Sequence, residues 1–366
     1  QDLGWQGNVQ FALIRMGSDN GDRAMETDGN GDNFDAEPFT APTIANLTVL
    51  GNQGKTDKDT MGHLAREGYR GNIHRSVYID DAAAGGAFDS GCIGVDEMTD
   101  STYLTDSALT YEDVVCQATN GELAGKNSTY EDEFKNSGSY DVHVTGGGAT
   151  IDNTTLAINN TGATIDGDLP SGFDTADYHG AVDPGATTAW WDGWTYRNSN
   201  VDGNLPGGDF HPLESEIGGT ITAASPANCP AGSEASYTAD AFGTTFPVCE
   251  LSSDITSDVE LTNDHVYVLT ETVNVGDGGA ESGPSGDNNA TLTIEGGTMV
   301  MGKGGAEDVA LVITRGSKIN VDGTADTPVI MGSWDPNGSK AVTDLTDRGA
   351  WGGLIVDGKG KVNSAN

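Results

Sequence analysis

An acidic loop near the start of the chain has the residue types of a cation site. Five oxygen-bearing side chains fall within one short stretch that also contains glycine: Asp28, Asn30, Asp32, Asp35 and Glu37. Ca²⁺ takes six to eight oxygen ligands, and the first three of these residues occupy positions 1, 3 and 5 of a calcium-type loop. The spacing therefore predicts a Ca²⁺ site.

The same loop departs from the EF-hand pattern at two positions. Asn33 stands at position 6, where glycine is expected, and Phe39 stands at position 12, where a bidentate glutamate is expected. The alternative interpretation is a turn rich in Asp, Asn and Gly that holds no ion.

A cluster of aromatic residues is the second candidate for binding. Trp190, Trp191 and Trp194 lie close together in the sequence, with further rings before and after them. One interpretation is a platform on which the rings stack against the apolar faces of sugars. The other is an aromatic cap over residues of about 170–198 that closes one end of the core.

Basic residues are scarce, 17 against 56 acidic ones, and four of the basic or titratable side chains cluster: Arg66, Arg70, His74 and Arg75. They could contact an anion such as a uronate, but on so acidic a chain neutralisation of neighbouring carboxylates is the favoured interpretation. The chain has no Ser-His-Asp pattern, phosphate-binding loop or dinucleotide fingerprint. The sequence thus indicates no catalytic set and favours a protein that is not an enzyme, without deciding the question.

The formal charge of −39 disfavours nucleic acid and anionic membranes as partners. It fits a solvated acidic surface, with or without structural Ca²⁺. No apolar run approaches the length of a membrane span.

Four cysteines occur as two local pairs, and no CxxC or zinc-ligand spacing is present. Three pairings are possible. We expect Cys92 to bond Cys116 and Cys229 to bond Cys249, each closing a loop of roughly 20–25 residues. Disulfides of this kind indicate an extracellular or cell-surface location.

The elements that carry these residues are short β-branched runs separated by Gly, Asp and Asn. Residues Thr291–Thr298 align with Ala310–Ser317 so that Leu292 falls on Leu311 and Ile294 on Ile313. A repeat of this kind cannot bury its own apolar side, whereas stacked turns can. The pattern predicts an all-β fold, a right-handed parallel β-helix with disulfide-pinned loop excursions.

Strand-like runs also occur at Asn8–Ile14, Thr43–Asn52, Gly71–Asp80 and Tyr140–Val144. We expect β-helix turns over residues 1–198, with a loop insertion at about 81–135 that includes a short helix near 109–115. The aromatic cap would follow, because the ends of a solenoid must be covered. Residues 199–250 would be a connector or cap with a disulfide loop, and 251–366 further β-helix turns.

The segment Leu251–Val362 resembles a family of secreted bacterial right-handed parallel β-helix proteins, often lipoprotein-like. The resemblance rests on runs such as Ala290–Thr298, Leu311–Ile319 and Arg348–Val356. It implies a β-helix that is exported from a bacterial cell.

Two further stretches resemble the same family, but in a different order. They are residues 3–80 and the Tyr-x-Gly-Ala to Gly-Trp stretch from Tyr178 to Trp194. The resemblance implies that Leu251–Val362 opens the helix and that these stretches close it. A tandem array cut out of frame, a permuted chain, or omitted or reordered segments would each explain the order.

These features together predict an extracellular structural or adhesive β-helix. Its partner would be itself, because the open ends of a solenoid carry unpaired strand edges that favour head-to-tail association into a filament or surface layer. The alternative is a carbohydrate-binding or polysaccharide-degrading β-helix with a polysaccharide as partner.

Overall fold

The structure is a computed structural model that describes most of the chain in separate stretches. These are residues 4–16, 22–51, 60–80, 88, 90–96, 108–118, 121–125, 128–145, 148–152, 154–190, 229–230, 233–241, 244–277, 289–303, 309–324, 327–334, 341–342 and 351–357.

The described residues form strands β1 to β26 and one helix, α1. In chain order they are β1 (Asn8–Gln10), β2 (Leu13–Arg15), β3 (Arg23–Asp28), β4 (Thr43–Ala45), β5 (Thr48–Leu50), β6 (Met61–Arg66), β7 (Asn72–His74), β8 (Val77–Ile79), β9 (Ile93–Asp96), β10 (Thr110–Gln117), β11 (Leu123–Gly125), α1 (Ser128–Lys135), β12 (Tyr140–Val144), β13 (Thr150–Ile151), β14 (Ile158–Asn159), β15 (Ser233–Ala241), β16 (Thr244–Leu251), β17 (Val259–Leu261), β18 (Val266–Leu269), β19 (Val273–Val275), β20 (Thr291–Ile294), β21 (Met299–Lys303), β22 (Ala310–Ile313), β23 (Lys318–Val321), β24 (Ile330–Trp334), β25 (Ala341–Val342) and β26 (Gly353–Val356).

The chain divides into two compact units, which we describe separately. Unit 1 contains the described residues up to Trp190, and unit 2 those from residue 229 to residue 357. In both units short strands pair in parallel with the equivalent strands of the next coil. The predicted parallel β-helix is therefore confirmed. No helix among the described residues is both long and apolar enough to span a bilayer.

Unit 1 has three stacked faces. The first stacks β1, β4, β7 and the start of β10, the second stacks β2, β5, β8 and the end of β10, and the third stacks β3, β6, β9 and β11. Strand β12 follows β10 around the bend between the first two faces. The number of residues per coil varies. Leu47 and Ser76 occupy equivalent positions in successive coils and are 29 residues apart, whereas Asn72 and Thr110 are equivalent positions 38 residues apart.

Unit 2 repeats a set of three strands. The stacks are β17–β20–β23, β18–β21–β24 and β19–β22–β26, all parallel. An antiparallel hairpin, β15 with β16, precedes them, and β16 pairs in parallel with β18.

The predicted alignment of Leu292 with Leu311 is wrong in its register. Leu292 pairs with Ile319 in the next coil, whereas Leu311 pairs with Val273 and Leu354 on another face. The two segments look alike because β20 and β22 each end in the same kind of turn, with Gly297 at φ 89° and Gly316 at φ 91°. The offset therefore joins two sides of one coil and not two successive coils.

Four residues in unit 1, here called the corner column, mark the bend between its first two faces. Phe11, Asn46, Arg75 and Asp113 have φ values of 58°, 51°, 45° and 53° in successive coils, and the flanking strands place them one above another. A left-handed backbone in non-glycine residues is uncommon. Its repetition at one position makes every coil turn at the same point.

Residues 160–182, here called the strap, run along the corner column. The amide of Asp166 donates to Oδ2 of Asp113 at 3.0 Å. The guanidinium of Arg75 donates to the carbonyl oxygens of Gly167 and Ala176, each at 2.6 Å. The strap thus binds the two later coils of the column.

The two earlier coils bind the strap further along. The side chain of Asn46 donates to the carbonyl oxygen of Tyr178 at 2.9 Å, and the Tyr178 ring stacks on Phe11. The amide of Gln10 exchanges two hydrogen bonds with the backbone of Asp174, at 2.9 and 2.8 Å. Every coil of the column therefore has its own attachment to the strap.

The core of unit 1 is rich in rings and contains one buried histidine. His63 is fully buried, with Nδ1 2.8 Å from the Tyr111 hydroxyl and Nε2 2.8 Å from the Thr27 hydroxyl. Burial lowers its pKa to about 3, so the ring is neutral and both nitrogens are used. His63 therefore has a structural role in this core.

The two predicted disulfides are present. Cys92 bonds Cys116 inside the core of unit 1, and Cys229 bonds Cys249 in unit 2. Apart from this disulfide and the buried ring of Tyr267, the core of unit 2 is mainly aliphatic, with Leu292, Ile294 and Leu311 fully buried.

The structure differs from the predicted loop insertion at about 81–135. Strands β9, β10 and β11 lie in this range and all pair in parallel with the stack. The helix expected near 109–115 is part of strand β10, whereas α1 lies at Ser128–Lys135. The Tyr111 side chain faces the core and fixes that segment as extended.

The described part of the predicted aromatic cap, residues 170–190, contains most of the strap and contacts the side of the stack at the corner column. The rest of that range, and most of the predicted connector at 199–250, lie outside the described residues. The closing of one end by this region stays a prediction.

Candidate functional site

The acidic loop predicted to bind Ca²⁺ follows strand β3 in unit 1. Arg66 contacts the Asp28 carboxylate at 2.7 and 2.8 Å, and Arg70 contacts Asp35 at 2.8 Å. Two of the five predicted ligands are therefore already neutralised by guanidinium groups.

The remaining three ligands differ from one another. Asn30 is buried, and its side-chain oxygen accepts the amides of Asp32 and Asn33 within its own turn. Asp32 and Glu37 are exposed. The loop fits Ca²⁺ only in part, since most of its oxygens serve the protein itself. Calcium binding here stays a prediction.

Of the predicted sugar-contacting tryptophans, the structure describes Trp190. Its ring is 45% exposed and its Nε1 donates to the carbonyl oxygen of Ala181 at 2.9 Å. Trp191 and Trp194 lie outside the described residues. The sugar platform therefore also stays a prediction.

The basic cluster divides into two groups. Arg66 and Arg70 contact acids, as just described, and His74 lies 3.3 Å from Glu112. For the two arginines this is the neutralising role that the sequence favoured, whereas burial lowers the pKa of His74 and so favours its uncharged form. Arg75 differs, because it is buried and its guanidinium binds the two strap carbonyls.

A cluster that the sequence did not reveal lies beside Arg75. Among the described residues, one group of three potential ligands has its ligating atoms within 4.8 Å of one another, namely Asp113, Asp141 and His143. Asp113 belongs to β10, and Asp141 and His143 belong to β12. We call these three residues the corner cluster.

The hydrogen bonds of the corner cluster hold its carboxylates in place. The amide of Asp113 donates to Oδ2 of Asp141 at 3.3 Å, and Oδ1 of Asp141 lies 3.6 Å from Nε2 of His143. Asp113 is 2% exposed. Its Oδ2 accepts the Asp166 amide, while its buried Oδ1 has no hydrogen-bond partner.

The electrostatics of the cluster are dominated by burial. Burial raises the pKa of Asp113, and the nearby carboxylates of Asp141 and Asp166 raise it further, while the Asp166 amide and Arg75 lower it. His179, on the strap, is 4% exposed and its Nε2 has no hydrogen-bond partner. Burial, with His143 and Arg75 nearby, lowers the pKa of His179 to about 4.

A groove of about 500 Å³ opens next to the cluster. Its walls carry imidazole, hydroxyl and amide groups from His143, Thr145, Asn160 and Thr161, and glycines 148 and 162 leave its floor open. Groups of this kind form hydrogen bonds with hydroxylated ligands.

Sequence reasoning missed the corner cluster because its members belong to different coils. Asp113 and Asp141 are 28 residues apart, close to the 29 residues that separate equivalent positions elsewhere in unit 1. The number of residues per coil was the signal that would have identified the corner cluster. The alignment of Thr291–Thr298 with Ala310–Ser317, at an offset of 19 residues, indicated a different period.

The comparison with protein families agrees with this architecture. The family model of the pectate-lyase-like β-helix domain matches residues 2–195 and 253–366. The chain belongs to this family. No curated protein and no solved structure gives a significant match. Membership in the pectate-lyase-like β-helix family, together with the disulfides, fits a polysaccharide-related or extracellular protein.

Proposed function

We propose that this member of the pectate-lyase-like β-helix family is an extracellular structural protein that assembles head to tail with copies of itself. The observation that carries the proposal is the exposure of inward-facing residues in the last described coil of unit 2. Leu354 and Val356 are 39% and 60% exposed.

The residues stacked beneath these two are completely covered. Leu354 continues the column of Val273 and Leu311, which are 0% exposed. Val356 likewise continues the column of Ile313, which is 1% exposed. Among the described residues no layer covers this end of the interior column, whereas the ends of a solenoid need a cover.

The other half of such an interface is the first coil of unit 1. Among the described strands, the partners of β1, β2 and β3 lie on one side only and are β4, β5 and β6. Val9, Ile14 and Met25 on that coil are partly buried hydrophobic residues. An open parallel edge pairs readily with another strand, and a head-to-tail contact that does not close produces a filament.

One face of the unit 2 end differs from the other two. Strand β24 is covered by β25, which pairs with it in antiparallel fashion. The described partners of β23 and β26 lie on one side only. We therefore place the contact between copies at β23 and β26.

Sedimentation velocity at rising protein concentration tests this proposal, together with electron microscopy of negatively stained particles. We expect wild-type protein to form larger species as concentration rises. The double variant Leu354→Lys with Val356→Lys places two charges on the inward column and should remain monomeric.

The matched control is Ile355→Lys on the same strand. Ile355 pairs with Val312 and alternates with the inward residues, so its side chain points away from the column and assembly should persist. Circular dichroism confirms that each variant is folded. A wild-type protein that stays monomeric at every concentration would refute head-to-tail assembly.

Calcium stabilisation of the acidic loop is a separate part of the proposal. Asp32 and Glu37 are exposed carboxylates of the loop that lie outside its arginine contacts with Asp28 and Asp35, and Ca²⁺ bound there would raise the melting temperature by mass action. Thermal unfolding with and without Ca²⁺ tests it, with Asp32→Asn as the variant that should lose the effect. An unchanged melting temperature would discard the ion.

Polysaccharide binding is the second candidate, and the groove beside His143 favours it. The chain is strongly acidic, so a neutral glycan is the better match than a polyanion. Affinity electrophoresis through gels containing neutral polysaccharides would detect binding. Thr161→Val should weaken retardation, whereas Thr164→Val, an exposed residue outside the groove lining, should leave it unchanged.

A further inference from the structure

Three buried ligating atoms around the corner cluster have no hydrogen-bond partner among the described residues. They are Oδ1 of Asp113 and Nε2 of His143 and of His179. Buried polar atoms in native proteins are nearly always paired, so an orphaned set needs a physical explanation.

We propose that Asp113, Asp141 and His143 bind a divalent transition-metal ion, for which Zn²⁺ is the best fit, with His179 or water in the fourth position. Two carboxylate oxygens and one or two imidazole nitrogens make a donor set that Zn²⁺ accepts in tetrahedral geometry. The proposal does not depend on self-assembly or on polysaccharide binding.

The geometry is close to what such an ion needs. The three ligand atoms lie within 4.8 Å of one another, and ligand atoms around a tetrahedral Zn²⁺ are roughly 3.4 Å apart. Small rotations of the partly exposed His143 and Asp141 side chains would close the difference. Asp113 need not move, because the Asp166 amide already fixes one of its oxygens and leaves the other free.

The charges around the site favour a cation in spite of Arg75. The Arg75 guanidinium donates hydrogen bonds to the carbonyl oxygens of Gly167 and Ala176. Among the described ion pairs, none joins Arg75 to the cluster. Asp113 and Asp141 contribute two negative charges, and Asp166 lies nearby. The net charge of this group with Arg75 included is negative.

Arg75 alone does not account for the orphaned atoms. A carboxylate buried only to balance Arg75 would gain most by accepting its hydrogen bonds, yet Oδ1 of Asp113 accepts none. A metal ion would satisfy this oxygen and the imidazole of His143 together. Imidazole ligands also distinguish the site from the acidic loop, since Ca²⁺ prefers oxygen alone.

A metal at this position would join three parts of unit 1. Asp113 comes from β10, Asp141 and His143 from β12, and His179 from the strap. The ion would therefore hold the strap against the corner column in addition to its hydrogen bonds, and metal binding would be linked to the stability of unit 1.

The test is isothermal titration of the chelator-treated full chain with Zn²⁺, with Ca²⁺ and Mg²⁺ as comparison ions. We expect one Zn²⁺ per chain at the corner cluster and a higher melting temperature with Zn²⁺ in excess. Titration with Co²⁺ adds a spectroscopic signature, because tetrahedral nitrogen and oxygen ligands give a visible absorption band that the hydrated ion lacks.

Asp141→Asn and His143→Gln should each lower Zn²⁺ affinity by about tenfold or more and reduce the Co²⁺ band. Both positions are partly exposed, so the variants should fold, and circular dichroism verifies this. Asp32→Asn in the acidic loop is the matched control and should leave Zn²⁺ affinity unchanged.

Two outcomes would overturn the proposal. One is the absence of saturable Zn²⁺ binding in the wild-type chain. The other is Zn²⁺ binding of the same affinity in wild type, Asp141→Asn and His143→Gln, which would place the ion elsewhere on the acidic surface. A smaller loss in His179→Gln than in His143→Gln would assign the fourth position to water.

Discussion

The two units use the same stacking but bury different chemistry. Among the described residues of unit 1, several ionisable side chains are buried: His63, His74, Arg75, Asp80, Asp113 and His179. Of the same residue types (Asp, His and Arg), the described part of unit 2 buries one, His265. Unit 2 is therefore held by aliphatic columns, whereas unit 1 also depends on directed polar contacts.

This difference follows from what each stack must do with its backbone. The corner column of unit 1 bends every coil with a left-handed residue, and the strap satisfies the polar groups there. Unit 2 makes comparable turns with glycines such as Gly297 and Gly316, which carry no side chain to satisfy. Polar side chains at bends thus supply unit 1 with groups that can bind ligands.

Arg75→Met gives the largest expected effect and tests whether polar contacts hold unit 1. The change removes two hydrogen bonds to the strap and leaves the buried Asp113 without its neighbouring positive charge. We expect unit 1 to lose about 3–5 kcal/mol of unfolding free energy. Amide hydrogen exchange of β7 and β8 under denaturant reports on this unit separately from unit 2.

Arg66→Met is the matched control for Arg75→Met. Arg66 makes partly exposed ion pairs with Asp28 and Glu26, and we expect their loss to cost less than the loss of the buried strap contacts of Arg75. Equal losses in the two variants would mean that the strap contacts of Arg75 add nothing.

Leu292→Ala tests the aliphatic columns of unit 2. Leu292 is fully buried between Val259 and Ile319 in adjacent coils. Its truncation should cost about 3 kcal/mol, through lost burial and the cavity left behind. Thr293→Ala, on the other face of the strand, should cost less than about 1 kcal/mol. Urea unfolding of each variant measures both losses.

Much of the fold was predictable because parallel β-helix strands leave a local pattern. The runs at Asn8–Ile14, Thr43–Asn52 and Gly71–Asp80 are strands of stacked coils. The register was not predictable from one matching pair, because β20 and β22 share a strand-and-glycine motif on different faces. A coil of variable length hides its period from a search at fixed spacing.

The site was less predictable than the fold. The calcium-type spacing predicted Asp28 and Asp35 as ligands. In the structure Asp28 contacts Arg66 and Asp35 contacts Arg70, and these two arginines lie on either side of the turn that follows strand β6. The corner cluster forms only if Asp113 and Asp141 stack in adjacent coils. Their stacking depends on how many residues of the intervening coil lie in helix α1 and its flanking loops. Local sequence does not contain this information.

Acid should weaken unit 1 through His63, which has no counterpart with a comparable shift among the described residues of unit 2. The pKa of His63 falls from its ordinary value of 6.5 to about 3 in the folded protein. Protons therefore bind the unfolded state preferentially between these values, so this contribution is complete above pH 6.5 and is lost as the pH falls toward 3. From pH 6.5 to 4.5 the loss is about 2–3 kcal/mol.

The variant His63→Gln isolates this contribution, because other groups also titrate in the same range. Glutamine keeps a polar group near Thr27 and Tyr111 but takes up no proton. Denaturant unfolding at pH 6.5 and 4.5 should show a smaller pH effect in the variant than in wild type. Identical pH dependence in both proteins would show that His63 is not the buried base that the structure indicates.

Gln10→Ala gives the smallest expected effect and asks whether the strap detaches coil by coil. Gln10 contributes two hydrogen bonds to Asp174 at a partly exposed position, so its loss should cost about 1 kcal/mol. Hydrogen exchange at the Asp174 amide should accelerate about five-fold, while exchange at Asp166, attached to Asp113 three coils away, should not change. Equal acceleration at both amides would mean that the strap opens as one cooperative element, and the polar contacts of unit 1 would then act together, as the aliphatic columns of unit 2 do.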